Sequence, residues 1–189
     1  MTTVFTHPAI ALGLTPWIGK VSNVKSVVFA GIILTILPDI DVVGFNFGIP
    51  YDHLFGHRGF THSIVFALLV SMLTAWLISG ASRKDRILTW LYLFLCLVSH
   101  GLIDAFTNGG LGIAFFSPFS NERFFFPGNL IEVSTLSIER FFQGQGIGVI
   151  KSELLYVWIP CFVFFIIGLV LRNALTSKSS GPAKAGSLI

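Results

Sequence analysis

Several stretches of this chain are too long and too apolar to face water, and three of them meet histidine or aspartate at one end. The run from Val27 to Leu37 is broken only by Gly31 and Thr35, and Pro38-Asp39-Ile40-Asp41 follows it. A second apolar run begins directly after Asp52–Ser63, which holds His53, His57, Arg58 and His62. A third carries His100 and Asp104 in its last two turns. Composition closes the argument: 53% of residues are hydrophobic and 11% charged, where a soluble domain carries about 25% charge. The expected fold is an all-α integral membrane protein. Four full transmembrane helices cover 24–43, 61–80, 87–106 and 154–171, with Pro160 expected to kink the last. A short N-terminal transmembrane or re-entrant helix covers 8–19, below the roughly 20 residues a span needs. Residues 1–172 form a single membrane-embedded metal-site domain, and the Ser-, Lys- and Gly-rich 173–189 a flexible tail.

Charge placement sets the topology. Lys20, Lys25, Arg83, Lys84, Arg86, Arg172, Lys178 and Lys184 fall on one side of the spans; Arg58, Arg123, Arg140 and Lys151 fall on the other. The richer side is cytoplasmic by the positive-inside rule, which puts the C-terminus there and the connections 44–60 and 107–152 outside. The same alternation brings Asp39, Asp41, His57, His62, His100 and Asp104 to one membrane face. No basic cluster alternates with aromatics, so nucleic acid is not a partner; the bilayer is. Cys96 and Cys161 lie inside apolar segments and read as small buried side chains.

Ionisable groups at such depth are expensive unless paired. His100 and Asp104, spaced i,i+4, share a helix face and can either converge on one ion or join two helices by a hydrogen bond. Asp39 and Asp41 can both reach one centre only if Pro38 opens an irregular exit; otherwise they are a solvated cap. Thr61 is placed to cap the helix that follows, with His62 in its first turn facing the bundle. His57 serves as ligand or proton-transfer group. Asp41 or Asp52 could hold the second nitrogen of a ligand histidine. Arg58 has no evident partner and reads as an anion clamp or as an interfacial arginine. His53 has no evident role, and Glu122 and Glu153 are weaker candidates. The Phe115-Phe116 and Phe124–Phe126 clusters suit a lid, an interfacial belt or a lipid-chain entrance. Imidazoles mixed with carboxylates suit one or two Zn2+ ions, or Mn2+, better than calcium. The chemistry such a centre supports is hydrolysis, with Asp41 or His57 taking the proton.

Thr6-His7, Leu37-Pro38-Asp39-Ile40-Asp41, Phe55–Ser63, Ser99-His100 with Asp104, and then Gly109-Gly110, Ser117-Pro118-Phe119 and Glu122–Phe125 together resemble the YdjM/YbcI-like bacterial inner-membrane proteins, the YbcI branch most of all. That family is described as membrane-bound metal-dependent hydrolases. The resemblance implies a metal site drawing on His7, Asp39, Asp41, His62, His100 and Asp104, with His57 and Arg58 beside it. Its distant grouping with zinc-dependent phospholipase C and P1-type nucleases implies a phosphoester substrate, lipid or lipid-linked. Two other classes compete. A transporter would place its polar groups near mid-membrane in inverted repeats, and none is visible. A metal-stabilised scaffold would have a closed coordination shell.

Overall fold

A computed structural model describes residues 2–134 and 146–179. Helix α1 spans His7–Leu14 with Pro8 in its first turn, where no backbone N–H is required. A 3-10 turn, Thr15–Trp17, extends it without making it long enough to cross a bilayer. Helix α2 spans Val24–Ile36. Pro38 does not end the segment, as its sequence suggests. It opens a tighter 3-10 helix, Leu37–Phe47, because a missing N–H is harmless in a first turn. Gly48, at φ +73°, stops that helix.

Helix α3 spans Ile64–Ile78, and its cap is Ser63, whose Oγ accepts the Phe66 N–H at 3.1 Å. Thr61 is not the cap; its hydroxyl donates to Asp41 Oδ2 at 2.6 Å. His62 accordingly lies in a separate 3-10 turn, Phe60–His62, ahead of the helix. Helix α4, Arg83–Asp104, is capped by Ser82, which accepts the Asp85 N–H at 3.1 Å. Helix α5, Gly146–Glu153, continues through a π-helical turn, Leu154–Trp158, into α6, Ile159–Ser179. The wide turn falls directly ahead of Pro160, where a helix lacks its N–H. The last apolar segment therefore begins earlier than 154 and runs past Arg172. Residues 135–145, with Arg140, and 180–189, with Lys184 and most of the expected tail, lie outside the described residues.

Three segments are long and apolar enough to cross a membrane among the described residues: Val24–Phe47, Arg83–Asp104 and Gly146–Ser177. Ile64–Ile78 is apolar and shorter. The protein is thus an all-α, multi-pass membrane protein with a short N-terminal helix. Helix α4 packs against α1, α2 and α3. Its Leu93, Cys96 and Leu97 meet Ala11, Val27, Leu34 and Ala67 in one buried core. Tyr92 lies against Gly31, where a Cβ would collide with the ring, and its hydroxyl donates to the Ala11 carbonyl at 3.0 Å. The outer faces remain apolar: Met72, Leu73 and Trp76 of α3 and Phe162 and Val170 of α6 are exposed. Such faces suit hydrocarbon, not water.

Antiparallel packing gathers the start of α1, the 3-10 end of α2, the turn before α3, the end of α4 and helix α5 at one end. Residues 107–134 cover it. Phe115, Phe124 and Phe126 pack inward on Ala105 and Ile113 as a lid, whereas Phe116, Phe119 and Phe125 are exposed.

Candidate metal centre

The site is built where four chain segments end. A 3-10 helix turns through roughly a third of a circle per residue. Asp39 and Asp41 therefore point in different directions and do not share one centre. Asp39 Oδ1 lies 3.4 Å from His100 Nε2 and 3.7 Å from His62 Nε2, and its Oδ2 lies 3.9 Å from His7 Nε2. Asp41 turns the other way. Its Oδ1 meets His57 Nδ1 at 2.7 Å, and its Oδ2 accepts from the Arg58 N–H at 3.1 Å and faces His62 Nδ1 at 3.2 Å.

The hydrogen bonds of the two inner histidines set their protonation. His100 Nδ1 lies 2.7 Å from the Thr35 carbonyl, which can only accept, so Nδ1 carries the hydrogen. His62 Nδ1 faces the Asp41 carboxylate and is assigned the same way. In the neutral rings both lone pairs then sit on Nε2, and those two atoms are 3.0 Å apart. Lone pairs facing at that distance repel unless a proton or a cation lies between them. Burial opposes a charge on His62, but the carboxylates of Asp39 and Asp41 that face it outweigh burial and raise its pKa to about 9. Without a metal, a proton fills the gap.

Asp39 completes the argument. Its side chain is 7% exposed, and neither of its oxygens has a hydrogen-bond donor among the described residues. A buried carboxylate without donors calls for a cation. One ligand atom each from Asp39, His62, His100 and Asp104 falls within 4.8 Å of the others, and the same holds for Asp41, His57 and His62. These residues can hold a divalent metal ion. The i,i+4 pair is thus part of a cluster, not an isolated hydrogen bond between helices.

Arg58 has the partners its sequence context conceals. It is fully buried. Its Nε lies 3.3 Å from Asp104 Oδ2, Nη1 donates to the Gly109 carbonyl at 2.7 Å, and Nη2 to Thr107 Oγ1 at 3.0 Å. Its backbone adopts φ 64°, which turns its N–H onto Asp41 while its side chain reaches Asp104. A guanidinium so occupied ties the two carboxylates into one frame rather than standing free for an anion.

Three further residues shape the surroundings of the centre; of them Glu153 is the one expected from the sequence, as a weaker candidate. Thr2 is buried; its N–H donates to Asp104 Oδ1 at 3.0 Å, and its Oγ1 lies 2.7 Å from His7 Nε2. Glu153 is buried and anchors this strap through the Thr3 N–H and the Thr3 and Thr6 hydroxyls, at 2.6 and 2.7 Å for the hydroxyls. Arg123 holds the loop above by donating to the His57 and Tyr51 carbonyls, each at 3.0 Å. His53 and Glu122 are exposed and stand apart from the centre.

The sequence profile of the YdjM inner membrane protein family matches residues 1–175. The chain belongs to the YdjM/YbcI family of inner-membrane proteins. Within the family it is similar to the inner membrane protein YbcI of Escherichia coli (strain K12), at 44% identity over 160 residues, covering 85% of this chain and 92% of that protein. No solved structure matches it. Its home is the bacterial inner membrane, and every segment that contributes to the His/Asp cluster lies within the part shared with the YdjM/YbcI family.

Proposed function

We propose that this YdjM/YbcI family member is a membrane-bound metal-dependent hydrolase that cleaves a phosphoester in a lipid or lipid-linked substrate at the periplasmic face. The observation that carries the reading is the facing pair of His62 and His100 Nε2 atoms, 3.0 Å apart, beside the donorless carboxylate of Asp39. A divalent cation held there, Zn2+ by its donor set and Mn2+ in second place, would acidify a water and polarise the phosphoryl group. The rest falls to the chain. Asp39, His62, His100 and Asp104 hold the ion, with His7 beside them. Asp41 orients His62 through Nδ1, as carboxylates behind ligand histidines do. His57, bonded to the far oxygen of Asp41, takes the proton. Arg58 is a positioning residue for Asp41 and Asp104.

A cavity of about 310 Å³ at the same end supports the lipid class of substrate. Its walls are Phe5, Ile150, Leu154 and Trp158, with Thr3 and Glu153 as the polar margin. In this reading Ile64–Ile78 also crosses the bilayer, making four spans, and the C-terminus is cytoplasmic. Residues 1–172 act as one unit. Cysteines placed in 107–134 should react with an impermeant thiol reagent from outside; labelling only from the cytoplasm would reverse the orientation.

The test of activity is the purified, Zn2+-loaded protein assayed on phospholipids and polyprenyl phosphates beside the His100→Ala, Asp104→Ala double variant. Hydrolysis by the wild type and not by the variant is expected; equal rates would sink the proposal. A metal-stabilised scaffold is the second reading, favoured by the complete burial of His7, His100 and Asp104. It expects bound metal and raised thermal stability with no turnover of either substrate class.

A further inference from the structure

Far from the His/Asp cluster, where α3 turns into α4, the two helices leave a groove of about 270 Å³ between them. Each wall is one face of a helix. Met72 and Trp76 stand i,i+4 on α3. On α4, Arg83 and Ile87 stand i,i+4, and so do Arg86 and Trp90. Each arginine therefore lies one turn from an apolar side chain on the same face. Ala75, 1% exposed, also lines the groove, and its methyl leaves open the space a longer side chain would fill. The groove is thus cationic beside the 79–82 connection and apolar further along the bundle.

Nothing in the protein answers the two positive charges. Among the described residues neither guanidinium has an ion-pair partner or a hydrogen-bond acceptor. Asp85 is the one acid in residues 79–90, and its oxygens are taken by the Ser22 and Gly80 N–H groups. That contact with Ser22 also brings Lys20 and Lys25 to the same end, beside Lys84, so the surroundings are basic. Helix α4 is long and apolar enough to cross a bilayer, and Arg83 and Arg86 lie in its first turn. Arginine and tryptophan at that depth sit at headgroup level. We propose that this groove binds an anionic phospholipid, its phosphate between Arg83 and Arg86 and one acyl chain against Trp76, Met72 and Trp90. Guanidinium matches the oxygen geometry of phosphate. A free anion would leave the apolar walls uncovered, and a lipid with its own cation would leave the arginines unneutralised. Basic pockets between membrane helices take acidic headgroups for these reasons.

The groove shares no residue with the His/Asp cluster, and its test needs neither metal nor turnover. The full chain is placed in phosphatidylcholine nanodiscs, and tryptophan fluorescence is titrated with increasing mole fractions of a lipid carrying brominated, quenching acyl chains. Half-quenching by brominated phosphatidylglycerol is expected at a mole fraction about 30-fold below that of brominated phosphatidylcholine, the effect of two basic side chains at an anionic lipid. The comparison uses the wild-type chain and requires no variant to fold. Arg83→Gln with Arg86→Gln should bring the two lipids together. Lys20→Gln with Lys25→Gln, which removes the same charge from the same end, should leave most of the preference in place. Excess inorganic phosphate should not relieve the quenching. Equal half-quenching by both lipids in the wild type would overturn the proposal. So would equal losses in the two double variants, which would mean a diffuse charge effect, or release by inorganic phosphate, which would mean a free-anion site.

Discussion

The two ends of the bundle each bury a carboxylate, and they treat it in opposite ways. At the turn end, Asp85 is 5% exposed and accepts the Ser22 N–H at 2.7 Å and the Gly80 N–H at 2.5 Å. Backbone donors from two separate connections close on it, and its charge is met without an ion. At the opposite end, the Asp39 side chain is 7% exposed and meets imidazole nitrogens, with no hydrogen-bond donor among the described residues on either oxygen. Burial alone therefore does not mark a site. A buried acid whose oxygens are filled by N–H groups ties loops together; one whose oxygens are left open is prepared for a cation.

The sharpest way to break this contrast is to neutralise each acid in turn. Asp39→Asn is expected to weaken Zn2+ binding by on the order of 100-fold or more, beyond what loss of a supporting group does. At neutral pH it should lower the melting temperature of the metal-free protein, since the His62 imidazolium loses one of its two carboxylate partners. Asp85→Asn is expected to bind Zn2+ as the wild type does while losing about 1–3 kcal/mol of stability, because two N–H groups lose a charged acceptor. Metal titration and thermal melts read both. Wild-type affinity in Asp39→Asn would erase the difference between the ends.

Arg58→Gln probes the frame within the site end. Removing one member of a buried ion pair strands the other, at about 3–5 kcal/mol. The metal-free variant should melt well below the wild type, and Zn2+ should recover part of the loss by compensating Asp104. A variant as stable as the wild type without metal would show that Asp104 is satisfied some other way.

The mildest effect is that of pH, and it belongs to the site end. His62 has a folded pKa of about 9, above its ordinary 6.5. The stability this imidazolium adds to the metal-free protein is complete below about pH 6.5 and is lost as pH rises through 9. Metal displaces that proton, so Zn2+ affinity should move the other way, rising by about tenfold per unit between roughly pH 6.5 and 8. Metal-buffered titrations at several pH values measure the slope, and an affinity flat with pH would remove His62 from the ligand set.

Much of the architecture is legible in the residues themselves. Apolar runs disclose the spans, because a polypeptide in hydrocarbon must be helical and greasy. The alternating order of the apolar runs also anticipates that the ends of α2 and α4 and the start of α3 gather at one end of the bundle. The His100/Asp104 spacing and the need for a carboxylate behind a ligand histidine, met here by Asp41, follow from local chemistry. Other features do not. Thr61 reads as the cap of α3, but Asp41 claims its hydroxyl and Ser63 caps the helix instead. Arg58 reads as partnerless because Asp104 and Thr107 are far away in sequence.

What the order of residues determined by itself is which groups gather at one end of the bundle, since that depends only on helix periodicity and hydrophobic length. What tertiary structure alone decided is their division of labour. The 3-10 twist after Pro38 sends Asp39 inward and Asp41 to the rear, and the stacking of His7 on His100 sets the two rings in separate planes. Such distinctions come from differences of a few ångströms between segments far apart in sequence, and no local pattern encodes a distance of that kind.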